Sequence, residues 1–144
     1  MTVARILKNR AGADPVTVAP GIAVLEAARI LSERRIGTVI VMGDDGTVEG
    51  ILSERDVIRE VGRRGAAVLD EPVEALMTRK LQTCEAGETA QRVLERMTEG
   101  RFRHMPVMKD GALHAMISLG DVVKYRLEET LTERDALEDM VAGR

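Results

Sequence analysis

The sequence predicts an α/β fold of two pseudo-symmetric β-α-β-β-α halves, and three observations carry that reading. Residues 46–56, Gly-Thr-Val-Glu-Gly-Ile-Leu-Ser-Glu-Arg-Asp, return as residues 111–121, Gly-Ala-Leu-His-Ala-Met-Ile-Ser-Leu-Gly-Asp, with the glycine, apolar strand, serine and final aspartate in the same places. Apolar residues recur at helical spacing in 22–35, through Val24, Ala27, Ala28 and Leu31, and the pattern returns in 87–99. Short β-branched or apolar runs split by glycine-containing turns lie between those helices, as hairpins require. The period of about 65–70 residues exceeds that of solenoid repeats, so two halves packed together are expected rather than an array.

In chain order, Val3, Ile6 and Leu7 share one face of a short lead-in helix, and residues 9–15, with Gly12, Asp14 and Pro15, read as a loop. Residues 16–18 are a strand candidate, Pro20 and Gly21 turn the chain into the first long helix, and Gly37 ends it. Residues 38–42, the turn 43–46 and the return strand 47–52 make a hairpin. Ser53 opens a helix through Val57, Ile58 and Val61, closed by Gly62 and Gly65. After a connector at 66–71, Pro72, Val73, Leu76 and Met77 repeat the lead-in pattern. In the second half, 81–83 is the counterpart of 16–18, and 102–108 and 112–117 are the hairpin strands about Asp110 and Gly111. Ser118 opens the last helix, which Val123, Leu127, Leu131, Leu137 and Val141 extend to about residue 142, with 132–136 as a candidate break. The expected divisions are 1–70 for the first half with its lead-in, 71–126 for the second, and 127–144 for a helical extension.

Composition narrows the function. The 21 Lys and Arg and 24 Asp and Glu are interspersed, for a formal net charge of −3, which gives no basic footprint for nucleic acid. Phe102 and Tyr125 are the aromatic residues, too few for base-stacking platforms, and the core must be aliphatic. A single cysteine, Cys84, excludes an internal disulfide, and with His104 and His114 it is too few for a His/Cys zinc site. Neither the opening residues nor the longest charge-free apolar run, 36–42, approaches the length of a membrane span. A cytoplasmic protein with neither membrane nor nucleic-acid partner is expected.

The repeated corner carries the chemistry. In Ser53-x-x-Asp56 and Ser118-x-x-Asp121 the serine can cap a helix whose first turn holds the aspartate, where the helix dipole favours negative charge. The same pattern is a generic helix start, so structural and ligand-binding roles both stay open. No Ser/His/Asp or Cys/His arrangement surrounds His104 or Cys84, and no paired carboxylates, Walker loop or dinucleotide loop is present; no catalytic residue and no catalytic cofactor is expected.

Two such units, each with a glycine turn, an apolar strand and Ser-x-x-Asp, resemble a tandem pair of cystathionine β-synthase (CBS) domains, a Bateman module, over about residues 3–126. The most specific stretches are Asp45 to Asp56, Arg103-His-Met-Pro-Val107 and Ile117-Ser-Leu-Gly-Asp121. The resemblance leaves no room for an attached enzyme or channel domain and implies a stand-alone pair. It also implies two sheets packed face to face, clefts between the halves, and an adenosine nucleotide such as AMP, ATP or NAD(H) in one or both. By that resemblance Asp56 and Asp121 hold ribose hydroxyls, Ser53 and Ser118 face phosphate, and Thr17 and Thr83 lie near the sugar. Thr38, Val39 and Ile40, with His104, Met105 and Pro106, would sandwich adenine, and Arg55, Arg101, Arg103 and Lys124 could meet phosphate. The clefts should differ, because Gly50 is replaced by Ala115 and the first half lacks the proline at 106. A regulatory sensor that signals to a partner protein and forms a homodimer through its helices is implied. A constitutive scaffold with vestigial clefts and a nucleotide-processing enzyme are the alternatives.

Overall fold

The computed structural model describes residues 2–9 and 15–143. Through the first half run α1 (Val3–Asn9), β1 (Thr17–Val18), α2 (Val24–Arg34), β2 (Thr38–Met42), β3 (Val48–Ser53) and α3 (Glu54–Arg64). The second half supplies β4 (Cys84–Glu85), α4 (Ala90–Gly100), β5 (His104–Lys109), β6 (Ala112–Ser118) and α5 (Leu119–Val141). The mixed α/β class and the repeated order are as the sequence predicts. The loop expected through Gly12 and Asp14 falls outside the described residues.

Two compact units result. Residues 15–82 with Asp110–His114 build one, while residues 2–9 join Thr83–Lys109 and residues 115–143 in the other. In the first, β1 pairs parallel and β3 antiparallel to the central β2, with Thr17 opposite Ile40 and Thr38 opposite Ser53. Side chains alternate across the pleat, so Val39, Val41 and Leu52 join Val24, Ala27 and Leu31 of α2 and Val57 of α3 in one aliphatic core. The hairpin turns at Gly46 (φ +79°), and Asp45 braces it by accepting from the Thr47 N–H at 3.0 Å, a bond that holds its carboxyl below the usual range. The second half repeats the sheet as β4-β5-β6, with Met105, Val107, Ala115 and Ile117 in a core shared with Val93, Met97 and Val122. Its hairpin is tighter, with Asp110 and Gly111 both at positive φ, as a two-residue turn requires.

The lead-in segments are exchanged. Rather than serving the first half, α1 puts Val3 and Ile6 in the second core, and residues 2–4 run beside 86–89 through Val3 N–H to Glu88 O and Ala4 N–H to Ala86 O, both 2.9 Å. In return the inter-repeat segment, a 3₁₀ turn at Val73–Ala75, places Val73, Leu76 and Met77 in the first core and pairs with 20–24 through Val24 N–H to Glu71 O (2.8 Å) and Val73 N–H to Ile22 O (2.9 Å). Ile6→Ala is therefore expected to cost about 2–4 kcal/mol, with amide-exchange protection falling first in β5, β6 and α4. Protection lost first in β1–β3 would place α1 with the other core.

Three further expectations are corrected. The short strand of the second half lies at Cys84–Glu85 rather than 81–83. In the first half the Ile40 N–H donates to Val16 O at 3.0 Å, but Pro106 stands in the equivalent place and has no N–H, so pairing starts later, at Cys84 opposite Val107. Second, α2 ends before Gly37, on Arg35 in the left-handed region (φ 54°), and α4 ends likewise on Arg101 (φ 56°). Third, Gly62 lies inside α3, which Gly65 (φ 86°) closes, and α5 runs without a break through 132–136.

Candidate functional site

Each Ser-x-x-Asp corner is a strand entering a helix, and both are complete capping boxes. Ser53, extended at φ −103° and ψ 160°, accepts the Asp56 N–H on Oγ at 3.2 Å, while Asp56 Oδ2 accepts the Ser53 N–H at 2.9 Å. Ser118 and Asp121 repeat this at 3.1 and 3.0 Å. A further N–H of each helix is met across the sheet end, Glu54 donating to Gly37 O at 2.9 Å and Leu119 to Arg103 O at 2.7 Å. The corners are thus fixed by backbone bonds. A serine hydroxyl that accepts in the box keeps its own proton to donate, and each aspartate gives one carboxylate oxygen to the serine N–H.

The corners differ in what meets the carboxylate. Asp56 is buried, and its Oδ1 takes a hydrogen bond from Arg59 Nη2 at 2.9 Å. Asp121 is half-buried, and the residue three places on is the exposed Lys124. Arg59 was missed in the sequence, although its spacing from Asp56 is that of Lys124 from Asp121. Its guanidinium competes with any diol for the first aspartate.

Around the first corner, Thr38 is buried beside Ser53, Ile40 is buried on the same strand face, and Thr17 is exposed next to Ile40. Around the second, His104 is half-buried, Pro106 buried and Thr83 exposed. Val39 and Met105, named as adenine contacts, point the other way: both are 0% exposed inside the aliphatic cores. Only their backbone groups remain for reading a base. Arg55, Arg101 and Arg103 are exposed. A second missed residue is Arg96, whose Nη2 donates to Thr83 O at 2.8 Å while its Nη1 pairs with Glu88 at 3.1 Å. It lies 13 residues from Thr83, beyond any local pattern. The first half has Ile22 and Ile30 at the corresponding positions, so this Arg–Glu pair has no counterpart there.

Cys84 sits in the core rather than at an exposed, reactive position. It is 2% exposed, and burial, reinforced by the charge of Glu88 and opposed by Arg96, pushes its thiol up to about 11. The folded state then keeps the proton to higher pH than the unfolded chain. This contribution to stability is intact below the ordinary thiol value of about 8.5 and is lost as pH rises through about 11, at up to roughly 1.4 kcal/mol per pH unit. Denaturant titrations across that window should show a steeper loss for wild type than for Cys84→Val, which installs the first-half counterpart, Val18. Equal slopes would refute the shift.

Among the described residues no group of three His, Cys, Asp or Glu is placed to hold a metal ion, and no helix is long and apolar enough to cross a membrane.

The CBS domain model matches residues 3–63 and again 73–128. A CBS-domain containing protein of Agrobacterium tumefaciens, known as a crystal structure, is 44% identical and superposes with a TM-score of 0.83 over 87% of this chain and 92% of that one. A Pyrobaculum aerophilum CBS domain protein complexed with AMP is 24% identical, with a TM-score of 0.73 over 84% of this chain and 89% of that one. The CBS domain pair of a protein named MJ0100, complexed with 5′-methylthioadenosine and S-adenosyl-L-methionine, is 21% identical, with a TM-score of 0.76 over 90% and 98%. The chain spans 66% and 60% of the lengths of two curated relatives that it matches at 30% and 31% identity. On the family match and the fold together, the chain belongs to the CBS domain family, as a tandem pair of such domains.

Proposed function

We propose that this CBS pair is a non-catalytic regulatory module that binds an adenosine-containing ligand at its Ser-x-x-Asp corners and passes occupancy to a partner protein. The observation that carries the reading is the duplicated corner, in which a backbone-fixed carboxylate stands one helical turn from a serine with a proton to donate. A cis-diol supplies two donors to such a carboxylate, and a helix N-terminus with a free hydroxyl suits a phosphate or other anion. The AMP-bound and S-adenosylmethionine-bound relatives share the adenosine moiety, so ribose and adenine are the proposed common element, and AMP, ATP and NAD(H) are the nucleotides to try first. Signalling follows by population shift: the ligand acts through its differential affinity for two arrangements of the protein, and a ligand with equal affinity for both transmits nothing. A homodimer through α5 completes the reading.

A constitutive scaffold is the second reading, favoured by one observation: capping boxes alone account for the serines and aspartates. Mass spectrometry of small molecules released from purified protein separates the readings. A stoichiometric adenosine compound, unchanged after prolonged incubation with the protein, supports the sensor. Conversion to product would make the protein an enzyme, and a protein that purifies empty and fails to take up added adenosine compounds would be a scaffold.

A further inference from the structure

We infer that Arg96 is a positioning residue for ligand binding at the second corner: held by Glu88, it fixes the Thr83 peptide at the sheet end where Pro106 removes a ladder bond. The inference rests on the adenosine-binding reading above and adds to it a residue that acts on one corner alone. Thr83 belongs to that corner by register. In the first sheet Thr17 lies opposite Ile40 and Thr38 opposite Ser53, so these four side chains share the face turned away from the aliphatic core of Val39, Val41 and Leu52. In the second sheet Cys84 lies opposite Val107, which sets Thr83 beside Pro106 on the corresponding face.

The two strand ends are tied by different means. In the first half the Ile40 N–H donates to Val16 O at 3.0 Å, whereas Pro106 has no N–H to give, and β4 pairs through Cys84 and Glu85. A clasp from α4 replaces the lost bond. Arg96 Nη2 donates to Thr83 O at 2.8 Å and Nη1 to Glu88 Oε1 at 3.1 Å, while Glu88 Oε2 accepts the Glu85 N–H at 2.7 Å. The two side chains therefore grip the peptide groups on both sides of Cys84. Glu88 is anchored in turn, because its carbonyl accepts the Val3 N–H at 2.9 Å and its own N–H donates to Glu85 O at 3.1 Å. The Arg96 side chain is 19% exposed, against 61%, 38% and 71% for Arg59, Arg64 and Arg134 in their ion pairs, so its pair is the least open to screening of the four. Ile22 and Ile30 pack against the first core at the corresponding places, so the fold is built equally well with an apolar pair there. What the charged pair adds is a guanidinium fork that reaches two acceptors at once, one of them the Thr83 carbonyl.

The test uses the full chain, by titration calorimetry and amide exchange. The probe is whichever of AMP, ATP, NAD(H) and S-adenosylmethionine binds the unsubstituted chain most tightly. Binding is measured in Asp56→Ala, which leaves the second corner its carboxylate, and in Asp121→Ala, which leaves the first. Into each go Glu88→Ile and Arg96→Ile together, the apolar pair of the first half, and chemical denaturation checks that the midpoint is kept. The double change is expected to weaken binding at the second corner roughly tenfold, as for a segment in place about a tenth of the time, and to leave the first corner unaffected. Amide exchange at Thr83, Cys84 and Glu85 should quicken in the absence of ligand. Arg96→Lys, which keeps the charge without the fork and adds no apolar group, should show the same selective loss. Equal losses at the two corners, or unchanged affinity at the second, would overturn the positioning role while leaving the adenosine reading in place. Unchanged exchange at Thr83–Glu85 would overturn the clasp itself. Binding of none of the four compounds would overturn the adenosine reading and this inference with it.

Discussion

Replacing Gly50 by alanine is expected to destabilise the protein by about 3 kcal/mol, more than most substitutions that add a single methyl group. Gly50 lies in β3 opposite Val41, and the chain at Met77 and Thr78 closes over it. Thr78 is pinned there by two bonds to Ile51, N–H to O at 2.8 Å and O to N–H at 3.0 Å. A Cβ at position 50 would stand 2.7 Å from Met77 Sδ and 2.8 Å from Thr78 O. The thioether can rotate away, but the carbonyl is held by the ladder and cannot move without breaking it. The inter-repeat segment would be pushed off β3, and with it the packing of Leu76 and Met77 in the first core. The reverse change at the equivalent position, Ala115→Gly, should cost only about 1 kcal/mol, the ordinary effect of glycine in a strand. Chemical denaturation of both variants checks the pair; similar small losses would mean that segment 77–78 yields easily.

Ligand affinity should depend more on Asp121 than on Asp56. Asp121→Ala is expected to weaken binding of an adenosine ligand roughly ten- to a hundredfold, the effect of removing a charged hydrogen-bond acceptor. Asp56→Ala should cost less, because the second corner carries Arg103, His104 and Pro106 where the first has Gly37, Thr38 and Ile40, and a diol at Asp56 must displace Arg59 from one oxygen. Arg59→Ala sharpens the comparison, since releasing Asp56 should raise affinity at the first corner. Titration calorimetry on the three variants decides it, and equal losses at the two aspartates would contradict the inequality of the corners.

The corners were legible in the sequence because a capping box is local chemistry: serine, aspartate and the N–H groups that they bind lie within four residues of one another. The apolar alternation that builds β2 and β3 is legible too, and the same alternation turns the Val39 and Met105 side chains into the cores. Exchange of the lead-in segments could not be read. Val3 and Ile6 offer the same amphipathic pattern as Val73 and Leu76, and nothing local tells either piece which core it will enter. The late start of β4 was readable in principle, because Pro106 falls where Ile40 donates its N–H. Arg59 was accessible by comparing the two halves position by position, whereas Arg96 bracing Thr83 required the fold.

Most directly, the central claim is tested by thermal melting with AMP, ATP, NAD(H) and S-adenosylmethionine, with GMP as control, on wild type and on the Asp56→Ala, Asp121→Ala double variant. At about a hundred times its dissociation constant a bound ligand contributes roughly 2.7 kcal/mol, which for a domain of this size raises the melting temperature by about 5–10 °C. At least one adenosine compound should produce that rise in wild type, GMP should not, and the double variant should lose it. No rise with any adenosine compound, or the same rise in the double variant, would contradict the assignment of these corners as the ligand site.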